Sequence, residues 1–464
     1  MRARVYIETF GCQMNVADTE RAATRLREAG YGLTQSAETA DVILFNTCSV
    51  RARAEQKVFT RMGEVRRARG AGQKPPVMGL MGCVAQLEGA SLFDHAPALD
   101  LVVGTRATDR LPSLLKRALE GEEKTLDLGE RGEGESWEVS AFERHSPYVA
   151  FVPIIEGCNK FCSYCIVPFS RGRERSRPPL EIISEVQRLR GEGFREVHLI
   201  GQNVNSYRPK TLSGLEGFRG ATPFSKLLRA VAATRMERIK FTTSFPRDFH
   251  ADIVAALDEH PNLCNWVHLP VQSGNDRVLR AMRRGYTVGD YLKRLETIRN
   301  AGRRLALTSD IIVGFPGESA EEFEDTMRLV ETCQYDGLYI FKYSERPGTP
   351  AAGLADDVSE KEKTARFLAL ERVQREGQDK IYKAYVGREV EVLVEGASAK
   401  SAQDMTGHST CQKVVNFPGS ESLRGRVVRV CITQAKTNSL YGELTGSSEE
   451  RPPVNVSGEV RAWK

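Results

Sequence analysis

Over the first 117 positions apolar residues come in short, nearly unbroken runs: Val5-Tyr6-Ile7-Glu8-Thr9-Phe10, Val42-Ile43-Leu44-Phe45, Val77-Met78-Gly79-Leu80-Met81 and Leu101-Val102-Val103. Between them charged and apolar residues mix at helical spacing, from Asp18 to Ala29, about Arg51 to Arg69, and about Arg110 to Glu120. Runs apolar on both faces, separated by amphipathic helices, predict a parallel sheet covered on both sides, so residues 1–118 read as a doubly wound α/β domain. Residues 119–143 are rich in Glu and Gly and have no periodicity, which predicts a solvated linker.

Strand-like runs return from Tyr148: Tyr148–Ile155, Val197–Ile200, Ile239–Thr243, Trp266–Val271, Leu305–Gly314 and Leu338–Tyr343, with helices between. Six βα steps are too few for an eight-strand barrel, so residues 144–376 predict an open, partial (βα)6 barrel with its ligand loops at the strand C-termini. After a charged helix from about Ser359 to Tyr385 the pattern becomes valine-rich alternation broken by Gly, Ser and Asn. Residues 377–446 therefore read as a small antiparallel β-barrel of OB-like size, and 447–464 as a tail.

Composition narrows the class. With 41% apolar and 27% charged residues and no run near the ~18 apolar residues of a membrane helix, the chain is expected to be soluble, without a membrane partner. Its amino terminus enters a strand without a signal-like apolar segment, so a cytoplasmic location is expected. A net charge of +5 permits an RNA partner without arguing for one. Ten cysteines in such a chain point to reduced thiols, metal ligands or catalysis rather than disulfides.

Cys158, Cys162 and Cys165 form a C-x3-C-x2-C run directly after the first barrel strand. Three thiolates on one loop can hold three irons of a cubane cluster and leave the fourth open; a zinc site or unrelated core thiols are the other readings. Cys12, Cys48 and Cys83 each lie just past a strand of the first domain, where a parallel sheet brings strand ends into one crevice. They read either as a second three-thiolate cluster or as small buried hydrophobes. Cys264, Cys333, Cys411 and Cys431 have no assignable role.

The cysteine loop, with Tyr164 before its last cysteine, resembles the radical S-adenosylmethionine superfamily. Phe10-Gly11-Cys12-Gln13-Met14-Asn15, Asn46-Thr47-Cys48-Ser49-Val50-Arg51 and Gly82-Cys83-Val84-Ala85-Gln86 resemble the three signatures of the methylthiotransferase family's amino-terminal domain, and the terminal barrel resembles its TRAM module. The resemblance implies two 4Fe-4S clusters, one on each cysteine trio, with S-adenosyl-L-methionine as cofactor. Gly201-Gln202-Asn203-Val204-Asn205-Ser206-Tyr207, Cys162 to Phe169 and Arg171-Gly172 are similar to the branch that acts on isopentenylated adenosine at tRNA position 37. It implies that one cluster reduces the cofactor to make a radical, while the other holds sulfur for methylation and transfer; no acid or base is expected to be catalytic.

By the same resemblance, Tyr164, Gly201, Gln202, Gln272, Ser273 and Gly314 are expected around the cofactor, the glycines letting backbone approach it. Arg171, Arg173, Arg175 and Arg177 alternate, which in an extended segment puts all four on one side as candidates for tRNA phosphates or the cofactor carboxylate. The helix bearing Arg61, Arg66, Arg67 and Arg69 is a second basic candidate. From Tyr385 to Gly446 the terminal barrel's seven basic and six acidic residues do not announce RNA binding; Tyr441, Phe417 and His408 are its candidates for base stacking. Expected partners are the tRNA anticodon stem-loop, a flavodoxin- or ferredoxin-like reductant and a sulfur donor, with the enzyme monomeric. The alternatives are a methylthiotransferase for threonylcarbamoyl-adenosine or a ribosomal protein side chain, and a non-catalytic iron-sulfur RNA-binding protein.

Overall fold

A computed structural model describes residues 3–49, 52–68, 75–132 and 136–447. Val50 and Arg51 of the second signature, Arg69 of the basic helix, and the tail beyond 447 lie outside the described residues. The chain divides into two compact units. The first takes residues up to Asn159 together with Ile166–Glu174; the second takes Lys160–Cys165 and the described chain from Arg175 onward. Packing therefore divides the chain within the cysteine loop, not near residue 143 where the pattern suggested a boundary.

The first unit is built on a six-stranded parallel sheet of β1 (Arg4–Phe10), β2 (Gly32–Leu33), β3 (Val42–Thr47), β4 (Val77–Gly82), β5 (Leu101–Gly104) and β6 (Thr125–Asp127), in the order β2-β1-β3-β4-β5-β6. Strand alternation sorts its side chains into two cores. Ile43, Phe45, Leu80 and Val102 pack with Val58, Met62 and Val65 of the helix Ala52–Ala68. Val5, Ile7, Val42, Leu44 and Val103 pack on the other face with Ala22, Ala23 and Leu26 of α1 (Gln13–Glu28) and with Leu111, Leu114 and Leu115. This is the expected doubly wound α/β layer.

The segment 119–143 departs from the expected solvated linker. Thr125–Asp127 adds the edge strand β6, and Trp137, Val139 and Glu143 are buried. Arg144 donates to Glu20 (3.1 Å) and to the Phe151 carbonyl (2.6 Å), and the His145 ring lies 2.7 Å from Glu20. A three-residue strand and one tryptophan leave no periodicity among the acids and glycines, which is why the sequence pattern hid them.

In the second unit parallel strands pair Glu196–Ile200 with Arg238–Phe241, and Trp266–His268 with Ala306–Val313 and then Gly337–Lys342. A parallel bridge between Ile239 and Leu263 joins the two groups. The helices between begin where the local chemistry directs. Before Ala320–Cys333, for example, the Ser319 hydroxyl accepts from the Glu322 N–H while the Glu322 carboxylate accepts from the Ser319 N–H. The remaining strand of the expected six, Val149–Pro153, lies in the first unit.

The terminal barrel closes in the order Glu389–Ser398, Ser401–Ser409, Val414–Pro418, Leu440–Ser447, Val427–Ala435. It is not wholly antiparallel as expected: Val414–Pro418 and Leu440–Ser447 run parallel. A ring with an odd number of strands cannot alternate direction throughout, so closure forces one parallel pair. The barrel sits at the amino-terminal ends of the parallel strands, where Trp266 and Ala306 join its core and Lys413 Nζ contacts Asp336 at 2.8 Å. Among the described residues, no helix is long and apolar enough to cross a membrane.

Replacing Trp137 by alanine is expected to destabilise the protein by about 3–5 kcal/mol in denaturant unfolding, the cost of emptying a buried aromatic site. A residue in a solvated linker would change stability by less than about 0.5 kcal/mol.

Candidate functional site

Cys12, Cys48 and Cys83 come together because their strands are neighbours. Phe10 is in register with Thr47, and Thr47 with Gly82, so the cysteines follow three aligned strand ends, each ~4.8 Å from the next. A sheet of this order reverses direction between β1 and β3, where open α/β sheets bind ligands beyond the strand C-termini.

Local chemistry fixes the loops. The Asn15 Oδ1 accepts from the Cys12 N–H (3.2 Å) and thiol (3.3 Å), and its amide donates to Asn46 Oδ1 and the Thr47 carbonyl, both at 3.1 Å. Asn46 returns a bond to the Asn15 carbonyl at 2.8 Å, and the Cys48 N–H donates to the Phe10 carbonyl at 3.0 Å. Gly82 has φ +96°, and a Cβ there would run into Asn46 and the Thr47 carbonyl. Cys12 is exposed, while Cys48 and Cys83 are buried. Hydrogen bonding to the Cys48 thiol, with the charge of Arg171, pulls the Cys12 thiol down to about 6, which favours the thiolate that metal binding needs.

The second trio lies on one loop. Gly157 takes φ +78° where a Cβ would meet the carbonyls of Arg173 and Gly172, and the Cys158 N–H donates to the Gly172 carbonyl at 3.1 Å. In the second unit, the buried Arg284 donates to Cys162 Sγ (3.4 Å), the Tyr164 hydroxyl (3.4 Å), the Tyr286 hydroxyl (2.8 Å) and the Pro270 carbonyl (2.9 Å). Its guanidinium stacks 4.4 Å from the Phe245 ring centroid, and Phe245 exchanges 2.8 Å bonds with Asn205. One arginine thus ties the cysteine loop to the loops after three strands. No motif or spacing marked it.

The expected cofactor residues divide. Tyr164 is held by Arg284; Gln272 has φ +80°, and its N–H donates to the Asp310 carbonyl at 2.9 Å. Gly201 is buried, and Gln202 beside it keeps a buried Oε1 with no hydrogen-bond partner. Ser273 instead faces the helix Ala320–Cys333: it is wholly buried, with its hydroxyl 3.5 Å from that of Thr326 and accepting from the Asn275 N–H. Gly314 is likewise structural, since its φ of +69° and the room a Cβ would take from Lys363 require glycine, while its N–H donates to Glu318 at 2.6 Å.

The four alternating arginines do not share a side. Arg171 ends the helix Val167–Arg171 and pairs, buried, with Asp18 at 2.6 Å; Arg177 is buried against Glu185 and Glu181. Neither is available to phosphate, because the chain turns at Gly172 (φ +77°) and the period of two never starts. Arg173 and Arg175 are exposed. On the basic helix, Arg61 pairs with Glu8 at 3.1 Å and Glu64 at 3.2 Å, while Arg66 and Arg67 are exposed.

Inside the partial barrel lies a polar and aromatic wall. Lys240 Nζ sits 4.4 Å from the Trp266 centroid, Trp266 stacks on His268 at 5.8 Å, and His268 pairs with Asp310 at 3.4 Å. Tyr339 meets His268 edge-on at 5.9 Å, and Tyr339 and Phe341 are exposed, 55% and 39%. Burial lowers Lys240 to about 8. A cavity lined by Arg238, Arg303, Arg304, Arg388, Glu391 and Cys411 lies at the opposite, amino-terminal strand ends. Among the described residues, no three His, Cys, Asp or Glu side chains are already drawn into a metal-holding group. What fits iron is the placement of the thiols, the lowered Cys12 and the buried arginines beside them.

Family models match in chain order: the uncharacterized protein family UPF0004 over residues 4–104, the radical SAM superfamily over 152–330, and the TRAM domain over 383–445. The tRNA-2-methylthio-N(6)-dimethylallyladenosine synthase of Koribacter versatilis is 43% identical over 446 residues, covering 95% of this chain and 98% of that protein. The synthase of the same name from Geobacter sulfurreducens is 44% identical, covering 95% and 97%. Among solved structures, the radical S-adenosylmethionine methyltransferase TsrM from Kitasatospora setae, with cobalamin and a [4Fe-4S] cluster bound, superposes with TM-score 0.54 at 15% identity, covering 76% of this chain and 77% of that one. That likeness concerns the fold alone.

Asn15→Ala should cost about 1–3 kcal/mol by leaving Asn46 Oδ1 without its donor in the interior. It should also release Cys12, so that iron retained after anaerobic reconstitution falls from about eight per chain toward about four, with the loss at the first trio. Iron and sulfide analysis reads this directly.

Proposed function

The chain belongs to the family of tRNA-2-methylthio-N(6)-dimethylallyladenosine synthases, and from that premise we propose that it replaces the hydrogen on carbon 2 of N(6)-isopentenyladenosine at tRNA position 37 with a methylthio group. It is a radical S-adenosylmethionine transferase, with 4Fe-4S clusters and S-adenosyl-L-methionine as cofactors. The observation that supports the reading is a cysteine trio that follows three aligned ends of parallel strands, in a chain that also carries a C-x3-C-x2-C run.

That carbon–hydrogen bond is not acidic enough for a positioned side chain to break at neutral pH. When bound, the cluster on Cys158, Cys162 and Cys165 supplies an electron to S-adenosylmethionine, and the cluster on Cys12, Cys48 and Cys83 supplies the iron that holds the sulfur. The rest falls to the chain, which must position reactants and exclude water. Arg284 fixes the orientation of the radical loop through Cys162 and Tyr164. Gln202, with its spare buried oxygen, and Gln272 line the cofactor side. Tyr339 and Phe341 offer the target base flat surfaces for stacking, with His268 and Asp310 beside them as polar contacts.

The TRAM-like barrel and the exposed Arg173 and Arg175 serve as contacts to the tRNA backbone. A flavodoxin- or ferredoxin-like protein supplies electrons, a separate donor supplies sulfur, and the enzyme acts as a monomer.

Nucleoside analysis of total tRNA from cells lacking the protein is expected to show isopentenyladenosine without its 2-methylthio derivative. An unchanged profile would point to another tRNA base or a protein substrate. With purified chain under anaerobic reduction, Cys158→Ala should abolish formation of 5'-deoxyadenosine, while Cys12→Ala should retain it and lose only the methylthio product. Iron without any 5'-deoxyadenosine from the parent would favour a non-catalytic role.

A further inference from the structure

The helix Val167–Arg171 follows the radical cysteine loop in sequence, yet it packs in the first unit against the helix Cys83–Glu88, which begins with a thiol of the other trio. The Thr105 hydroxyl holds it by donating to the Ser170 carbonyl at 2.6 Å, and the Cys158 N–H by donating to the Gly172 carbonyl at 3.1 Å. At its end Arg171 is 8% exposed. Its Nη1 meets Asp18 at 2.6 Å, whereas its Nη2 is buried without a hydrogen-bond partner. The charges that the guanidinium feels include Cys83 and Cys12 as well as Asp18 and Glu156.

An unmet buried donor costs about 1–3 kcal/mol, and burying a guanidinium costs more unless every face is used. The acids nearby are already engaged. Asp18, Asp109 and Glu156 are shared among Arg21, Arg25, Arg131 and Arg171. Besides these carboxylates, the negative groups that act on the guanidinium are the thiols of Cys83 and Cys12.

We propose that Arg171 is a positioning residue for the auxiliary cluster, donating from Nη2 to a sulfur on the Cys12, Cys48 and Cys83 side and so raising that cluster's reduction potential. Potentials of such clusters follow net charge and hydrogen bonds to sulfur, and a buried cation with a donor stabilises the more negative, reduced state. The proposal rests on the reading that this trio holds a cluster. The segment after Cys165 then serves both trios, because it closes the radical loop and delivers, six residues later, the side chain that addresses the other cluster.

The test uses the full chain with Cys158, Cys162 and Cys165 all changed to alanine, reconstituted anaerobically, so that only the auxiliary cluster is observed. About four irons per chain are expected; a chain that binds none would overturn the trio's assignment and this proposal with it. In that background Arg171→Gln should shift the reduced-to-oxidised ratio at fixed potential about tenfold toward oxidised, which is about 59 mV for a one-electron couple, read by EPR-monitored titration. Arg171→Lys should shift it less. If Arg171→Gln alone loses iron because Asp18 is left unpaired, the Asp18→Asn/Arg171→Gln pair, compared with Asp18→Asn alone, removes the same cation and should show the same shift. Unchanged potential in a variant that keeps its iron would overturn the role of Arg171 while leaving the cluster assignment standing.

Discussion

Parallel strands finish on the same side of their sheet, and the rest of this protein's organisation depends on that constraint. In the first unit it turns three cysteines separated by dozens of residues into neighbours, since the last residues of β1, β3 and β4 are held in register by backbone hydrogen bonds. In the second unit it gathers the loops after successive strands into one rim, where Arg284 reaches Cys162, Tyr164 and Pro270. The first thiol trio needs no rigid loop of its own, because the sheet supplies the rigidity.

Thiolates gathered in this way repel one another and require buried positive charge. Each trio has it: the charge of Arg171 acts on Cys12 and Cys83, and Arg284 donates to Cys162. Both arginines are anchored elsewhere, Arg171 by Asp18 and Arg284 by carbonyl and tyrosine oxygens, so their positions do not depend on the sulfur they face. The Asn15–Asn46 amide pair steadies the first trio without charge, filling the gap that Gly82 leaves open.

Most of the architecture was legible because buried parallel strands must be apolar throughout, and Val42-Ile43-Leu44-Phe45 admits little else. The cysteine loops were legible because their residue types and spacing carry the chemistry. What escaped was set by contact between distant residues. Arg284 lies well over a hundred positions from Tyr164 and resembles any loop arginine. The alternation from Arg171 to Arg177 suggested an extended strand, but helix geometry and the left-handed Gly172 separate the four side chains. Thr125–Asp127 and Trp137 were too short a signal against an acidic, glycine-rich background, and the parallel pair in the terminal barrel follows from strand parity, which composition does not encode.

The return of Ile166–Glu174 to the first unit bears on how far this chain is modular. A protein trimmed to begin near residue 144 would retain every barrel strand and all three radical cysteines, yet Ser170 would lose Thr105 and Arg171 would lose Asp18. The segment after the radical cysteines thus owes its place to residues that precede them in the chain, and a boundary drawn by sequence order would cut through packing that the first unit needs.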